Sequence, residues 1–142
     1  MHMQAIPSPC VCARLRRATR AVTRAYDRVL EPHGVTVSQF SLLRHAGRLD
    51  GPTVSALAEA TGHERSGLWR SLQPMVRDGL LSLSPGTDQR TRRVEVTAKG
   101  QALAEAAAPA WEDIQRQLGG ALGEDRRAEL LSLLEELEAV VD

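Results

Sequence analysis

Residues 88–100 constrain the fold more than any other segment; they read Asp-Gln-Arg-Thr-Arg-Arg-Val-Glu-Val-Thr-Ala-Lys-Gly. The segment predicts a short basic hairpin arm that leads into a strand and then into a helix. A compact run of helices over residues 53–79 precedes it. Three helices followed by a basic β-wing form a winged helix-turn-helix, which places one helix in the major groove of DNA and the wing beside it. The sequence therefore predicts a DNA-binding protein rather than an enzyme.

The charge of the chain is unevenly distributed, although its formal sum is zero at neutral pH. Residues 10–30 carry six Arg and one acid, a net charge of +5, and residues 63–93 carry six Arg and three acids, a net charge of +3. Residues 101–142 carry three Arg and ten acids, a net charge of −7. An acidic C-terminal part thus masks a basic middle, which is the electrostatic footprint expected of a DNA-binding surface.

The chain has 142 residues, enough for one domain with its own core. Its N-terminus lacks the long apolar stretch of a signal peptide, and we see no segment that predicts a membrane span. We therefore expect a cytoplasmic protein with no membrane partner. Its two cysteines, Cys10 and Cys12, are then expected to be thiols rather than a structural disulfide.

Hydrophobic periodicity predicts long helices at both ends of the chain, residues 11–30 and 124–141. Shorter helices are predicted between them, followed by strands at residues 80–84 and 93–97. An Ala-rich helix should then run from residue 98 until Gly119-Gly120 breaks it. The predicted fold class is mainly α with a small β-wing.

These elements divide the chain into four regions. We expect a flexible N-terminus at residues 1–9, an N-terminal dimerisation helix at 10–35, a winged helix-turn-helix DNA-binding region at 36–98, and C-terminal dimerisation helices at 99–142. The central unit offers too little apolar surface to cover the apolar stripes of both terminal regions. We therefore predict that these stripes bury each other across the two-fold axis of a homodimer.

The helix that begins near Glu64 is the predicted recognition helix, because residues at the start of such a helix meet base edges and phosphates. The face of this helix that carries Leu68, Leu72 and Met75 should pack on the core. The predicted DNA contacts of this helix are Arg65, Ser66, Trp69 and Arg70.

The predicted wing follows the turn residues Pro85-Gly86-Thr87-Asp88. A basic tip of this kind suits the minor groove, where the potential is most negative. Asp88 would be repelled by DNA, so we interpret it as a wing-structuring residue that holds Arg90 or the turn backbone. The predicted DNA contacts of the wing are Arg90, Arg92 and Arg93.

The order of elements and these segments resemble the MarR family of bacterial winged-helix regulators, over residues 15–141. Asp88-Gln89-Arg90 is similar to the family's Asp-x-Arg signature. Val96-Thr97-Ala98-Lys99-Gly100 is similar to its Leu-Thr-x-x-Gly segment, with Val in place of Leu. Residues 65–75 also match a common family form, including Pro74 inside the helix, whereas Gly67 and Trp69 replace small hydroxylic or β-branched residues.

The resemblance implies a homodimer on double-stranded DNA, at a pseudo-palindromic operator. It implies a repressor that is released by a small phenolic ligand, a metal or an oxidant.

An oxidant is one candidate effector, because the helix N-terminus and neighbouring Arg side chains favour the thiolate of Cys12, and of Cys10 near it. Cys12 and Tyr26 stand at a spacing that resembles the organic-peroxide-sensing branch of the family, although Arg16 and Val37 occupy the branch's other tyrosine positions. The alternative is that Cys12 is a small buried residue in a dimer interface.

A small aromatic ligand is the other candidate effector. The resemblance places a pocket between the DNA-binding unit and the dimer helices, where Tyr26, His45 and Trp111 are the candidate lining residues. A tryptophan at a position such as 111 belongs to the core more often than to a ligand site. We predict no cofactor and no metal site, because Cys-x-Cys has no third ligand near it in sequence and the histidines are scattered.

Two further classes of function are weighed against a regulator. An enzyme needs a convergent nucleophile, base and stabilising group, and we find no spacing that indicates one. The strongest enzymatic alternative is a thiol peroxidase built on Cys12, which would consume peroxide catalytically. A non-specific architectural DNA binder is the other alternative, and it would show neither operator preference nor an effector response.

Overall fold

The computed structural model describes residues 8–142, which form six α-helices, two short 3-10 helices and one two-stranded sheet. The α-helices are α1 (Val11–Leu30), α2 (Val37–Arg48), α3 (Val54–Thr61), α4 (Arg65–Arg77), α5 (Ala98–Leu122) and α6 (Glu124–Val141). The strands are β1 (Leu81–Leu83) and β2 (Val94–Val96), and the 3-10 helices are Glu31–His33 and Gln89–Thr91. This architecture confirms the predicted class, mainly α with a small β-wing. Most of the predicted flexible N-terminus, residues 1–7, lies outside the described residues.

Local side-chain bonds set the starts of α2 and α3. Thr36 begins α2 with a capping box: Gln39 N donates to Thr36 Oγ1 at 3.2 Å, and Thr36 N donates to Gln39 Oε1 at 3.1 Å. Thr53 caps α3 by accepting from Ala56 N at 3.1 Å. Gly62 ends α3 in the left-handed region, with a φ of 72°. These helices confirm the prediction of short helices between the two terminal ones.

One apolar core joins the three short helices to the hairpin. Its buried side chains come from α2, α3, α4, the segment after α4, and both strands; they include Leu42, Leu57, Leu72, Leu81 and Val94. Burying an aliphatic side chain of this size contributes roughly 1.5–3 kcal/mol. Because the strands share the core with the helices, the base of the hairpin is fixed to the helical unit.

The hairpin is also held by backbone bonds. β1 and β2 are antiparallel, with Leu81 opposite Val96 and Leu83 opposite Val94. At the start of β2, Val94 N donates to Pro52 O at 2.8 Å, and Val54 N donates to Arg92 O at 2.9 Å. Pro52 and the first residue of α3 thus hold the returning limb of the wing.

The expectation that Gly119-Gly120 breaks α5 is wrong. The helix continues through both glycines to Leu122 and ends at Gly123, whose φ is 89°. Gly119 is buried under α6, where an added Cβ would lie 2.9 Å from Arg127 Cδ. The residue therefore leaves room for the side chain of Arg127, a tertiary contact that local helix propensity does not reveal.

The terminal helices carry much of the exposed apolar surface. α1 packs on α5 near Leu30, whereas α6 contributes none of the buried side chains in residues 8–142. Leu131 and Leu133 of α6 are 52% and 53% exposed. Among the helices of residues 8–142, none has the length and hydropathy that crossing a membrane requires.

Candidate DNA interface

The buried face of α4 determines which side chains the helix presents outward. Leu68, Leu72 and Met75 have no exposed surface, which confirms the prediction that they face the core. Their spacing fixes the rotation of the helix about its axis. The exposed polar side chains of its first two turns are Arg65, Ser66, Arg70 and Ser71.

The start of α4 is electrostatically suited to an anion. Glu64 is the N-cap, and within the described chain its side chain makes no cap hydrogen bond. The amides of the first turn therefore gain no acceptor from the N-cap side chain, and they lie at the positive end of the helix dipole. Together with Arg65 they favour a negatively charged group at this point.

Trp69 belongs to the recognition helix α4, and its ring lies on the side near the wing. It is half-buried and packs against the apolar core. The guanidinium carbon of Arg92 lies 5.7 Å from the centroid of its ring. The contact of Trp69 with DNA stays a prediction, and the structure shows its indole ring close to Arg92 of the wing.

Asp88 and Arg90 form a tight pair at the wing tip. Arg90 N donates to Asp88 Oδ1 at 2.9 Å, and Arg90 Nη2 donates to Asp88 Oδ2 at 2.7 Å. Hydrogen bonds from Arg90, with a smaller attraction from Arg65, hold the pKa of Asp88 below its ordinary value. The ion pair orders the wing only while Asp88 is ionised. Because folding lowers the pKa of Asp88, this contribution is fully present above the ordinary aspartate pKa and is lost as the pH falls through the lowered pKa.

The other two arginines of the wing bond to backbone carbonyls. Arg92 Nε donates to Ser84 O at 2.6 Å, across the base of the wing. Arg93 Nη1 donates to Gly51 O at 3.0 Å, and Arg93 N donates to Ser84 Oγ at 2.7 Å. Arg93 is exposed and Arg92 is half-buried, so the three wing arginines occupy different environments.

An open cleft of about 490 Å³ joins the recognition helix to the wing tip. Arg65 lines one side of it, and Asp88 and Arg90 line the other. The structure thus brings the start of α4 and the tip of the wing together, as a DNA-binding surface requires. Ser66 and Arg70 share the exposed face of α4 but do not line this cleft.

The two cysteines lie at the start of α1, exposed and unpaired in the described chain. Cys10 is the N-cap, and its Sγ accepts a hydrogen bond from Ala13 N at 3.4 Å. Tyr26 lies fourteen positions after Cys12, which is about 21 Å along the helix axis. Within one subunit the phenol therefore cannot reach the Cys12 thiol.

Tyr26 instead joins α1 to α5. Its hydroxyl donates to Gln115 Oε1. Burial raises the pKa of Tyr26, and the nearby positive charge of Arg127 partly opposes that rise. The phenol is a neutral hydrogen-bond donor in this contact.

The three candidate pocket residues have separate surroundings. His45 lines a groove of about 300 Å³ between α2 and the turn before α4, together with Thr61 and His63. Trp111 packs against Phe40 with the ring centroids 5.7 Å apart and the ring planes tilted by 37°. None of the cavities described in residues 8–142 is lined by Tyr26, His45 and Trp111 together.

Sequence reasoning missed the arginine that covers Trp111. Arg44 Cζ lies 4.0 Å from the centroid of the Trp111 ring, a cation–π contact between α2 and α5. The spacing of Phe40 and Arg44, one helical turn apart, is a signal that could have indicated it. In the part of the chain that the structure describes, no three His, Cys, Asp or Glu side chains are grouped to hold a metal ion.

The helices, wing and cleft define a winged helix-turn-helix of the kind found in transcriptional regulators. A sequence model described as "MarR family" matches residues 33–91. The homoprotocatechuate degradative operon repressor of Escherichia coli is 30% identical over 127 residues, covering 89% of this chain and 86% of the repressor.

Solved structures agree with this assignment. The M. tuberculosis transcriptional regulator MosR, in complex with DNA, is 39% identical with a TM-score of 0.80, covering 92% of this chain and 98% of MosR. The transcriptional repressor CouR, bound to a 23-mer DNA duplex, is 25% identical with a TM-score of 0.79, covering 91% of this chain and 92% of CouR. The chain belongs to the MarR family of transcriptional regulators.

Proposed function

We propose that this protein is a sequence-specific, double-stranded-DNA-binding repressor of transcription that acts in the cytoplasm as a homodimer. The observation that carries the proposal is the cleft shared by Arg65 of α4 and Arg90 of the wing. Cationic groups on both sides suit a DNA backbone that passes between a helix in the major groove and a wing in the minor groove.

The exposed face of α4 supplies the contacts of the major groove. Arg65 and Arg70 are long enough to reach phosphate oxygens or the O6 and N7 acceptors of guanine. Ser66, beside Arg65, donates to a phosphate. In the wing, Arg90 enters the minor groove, and Arg93 binds the adjoining backbone through the guanidinium nitrogens that do not bond Gly51.

Apolar surface on the terminal helices supports the homodimer. Val11 and Val22 of α1 are 59% and 43% exposed, and the leucines of α6 add to this surface. Apolar patches on long helices are typical of interfaces. A two-fold axis through them would place the two α4 helices about 34 Å apart, one turn of DNA, so the operator would be pseudo-palindromic.

The relatives support the same function. MosR and CouR are both described in complexes with DNA, and the E. coli relative is named as an operon repressor. Each shares at least a quarter of its aligned residues with this chain and spans nearly all of it.

An effector is proposed to release the repressor from its operator. One candidate is a small aromatic ligand bound between the DNA-binding unit and the dimer helices, with Tyr26, His45 and Trp111 as the residues to vary. The second candidate is an oxidant, and the exposed thiols of Cys10 and Cys12 favour it. A peroxide would oxidise a thiolate to a sulfenic acid and leave as the alcohol, which changes polarity at the start of α1.

Binding to the gene's own upstream DNA tests the proposal. The affinity of a labelled upstream fragment is measured with excess random competitor, before and after brief treatment with an organic peroxide. We expect competitor-resistant binding. Binding that is abolished by competitor would contradict sequence-specific repression and favour an architectural DNA binder.

The peroxide arm separates the two effectors. Oxidant control predicts that binding is lost on oxidation, is restored by thiol, and persists under peroxide in Cys12→Ser. Cys10→Ser is the matched control two residues away, since a Cys12 sensor should survive it. Binding that is indifferent to peroxide would instead favour a small ligand, and peroxide consumption far beyond one per thiol would favour a peroxidase.

A further inference from the structure

We infer that Trp69 and Arg92 form an intramolecular stack that positions the wing relative to the recognition helix. Arg92 is then a positioning residue for DNA binding and not itself a DNA contact. The inference rests on the proposed function and deepens it, because the distance between α4 and the wing decides which stretch of DNA backbone fits the cleft.

The side chain of Arg92 is engaged within the protein along its length. Its Nε donates to Ser84 O at 2.6 Å, which ties the returning limb of the wing to the outgoing one. Its guanidinium carbon lies 5.7 Å from the centroid of the Trp69 ring. Gly86 leaves room for its aliphatic part, because an added Cβ there would lie 3.1 Å from Arg92 Cγ. These contacts explain why the side chain is half-buried.

The backbone of Arg92 adds a third attachment. Its carbonyl accepts from Val54 N, the first residue of α3, at 2.9 Å. One residue thus connects both limbs of the wing to α3 through its backbone and to α4 through its side chain. Arg90 differs, because its guanidinium bonds Asp88 two residues away at the tip.

Trp69 offers the flat surface that this arrangement needs. The indole is half-buried and packs on the core beside Leu68 and Leu72, which are fully buried. Its position is therefore fixed by the core. A planar guanidinium attracted to an indole ring stays close to it, and lysine lacks the planar group. Arg92→Lys should therefore keep the charge and lose both the stack and the Nε bond to Ser84.

Two readouts test the inference, one of them without DNA. Amide hydrogen exchange of residues 84–92 is measured in the dimer for Arg92→Lys, Trp69→Leu and the double variant. Each single variant should speed exchange about threefold or more, and the double variant should be no faster than the faster single one. Arg77→Lys, an exposed arginine at the far end of α4, is the matched control and should exchange as wild type does.

Operator affinity is the second readout. Arg92→Lys should bind about fivefold more weakly even though its charge is retained, and the effects of Trp69→Leu and Arg92→Lys should not multiply. Any of three results would overturn the inference. These are operator affinity at the wild-type level in Arg92→Lys, hydrogen exchange at the wild-type rate in both single variants, or fully independent effects of the two substitutions on affinity. If wild-type protein bound no specific DNA, the proposed function would be contradicted, but the contact between Trp69 and Arg92 would not be. Hydrogen exchange would still report separately whether the stack holds the wing.

Discussion

Arg90→Ala is expected to lower the affinity for operator DNA by about tenfold or more and to leave thermal unfolding nearly unchanged. Arg90 lies at the exposed wing tip and faces the cleft that Arg65 also lines. Removing a cation that displaces a counterion from DNA should also reduce the slope of log affinity against log salt by about one per subunit. Folding should be little affected, because an exposed ion pair contributes little to stability.

Fluorescence anisotropy with a labelled operator at several salt concentrations measures both quantities. Arg77→Ala is the control: Arg77 also pairs with a neighbouring exposed acid, Asp78, at 3.4 Å, but it lies at the opposite end of α4 from Arg65. That variant should bind within about twofold of wild type, with an unchanged slope. Unchanged affinity in a folded, dimeric Arg90→Ala protein would contradict the wing assignment.

The bond between Asp88 and Arg90 explains how an acid can belong to a DNA-binding wing. Asp88 accepts from both the backbone and the side chain of Arg90, so it fixes the guanidinium before DNA arrives. Its carboxylate repels phosphate, but ordering a long side chain in advance reduces the entropy lost on binding. The hydrogen bonds from Arg90 hold the pKa of Asp88 below its ordinary value, so the pair persists to more acidic pH.

Local signals were sufficient to predict most of the helical framework. The first helix begins at Val11 and ends at Leu30 as predicted, because its apolar stripe is regular and Pro32 and Gly34 follow it. The prediction for Gly119 was wrong because local signals do not decide its role. Its role depends on Arg127 packing over it from the next helix, and such a contact leaves no local pattern.

For the candidate site, too, the sequence predicted what depends on local position and missed what depends on tertiary contacts. The buried face of α4 followed from helical spacing, and Arg65 and Arg90 were named from their places at the helix start and the wing tip. Sequence did not distinguish Arg90 from Arg92, two residues later, because only the folded wing shows that Arg92 lies over Trp69. The three proposed pocket residues were likewise grouped by resemblance, whereas their surroundings depend on helix packing.

Gly100→Ala is expected to destabilise the protein by about 3 kcal/mol, because it places a methyl group where another part of the backbone already lies. An added Cβ would overlap the carbonyl oxygen of Leu80 and would approach Val96 Cγ1 to 3.1 Å. Gly100 is buried, and the atom it meets belongs to the backbone and cannot rotate away.

The bonds around Gly100 show why relaxation would be costly. Thr97 Oγ1 donates to Gly79 O at 2.6 Å and accepts from Gly100 N at 3.0 Å, so it both caps α5 and ties it to the end of α4. Lys99 Nζ donates to Asp78 O at 2.8 Å, and Thr97 N donates to Leu80 O at 3.2 Å. Moving α5 outward to admit a methyl group would stretch these bonds together.

Urea unfolding at one fixed protein concentration measures the effect, since the stability of a dimer depends on concentration. Gly47→Ala is the matched control: Gly47 lies within α2, and an added Cβ there meets nothing within 4 Å. That variant should be more stable than wild type by up to about 1 kcal/mol, because alanine is the better helix former. If Gly100→Ala lowers the free energy of unfolding and Gly47→Ala raises it, the close approach of α5 to Leu80 is the cause of the loss. A wild-type midpoint for Gly100→Ala would mean that α5 and the start of the wing are not in close contact.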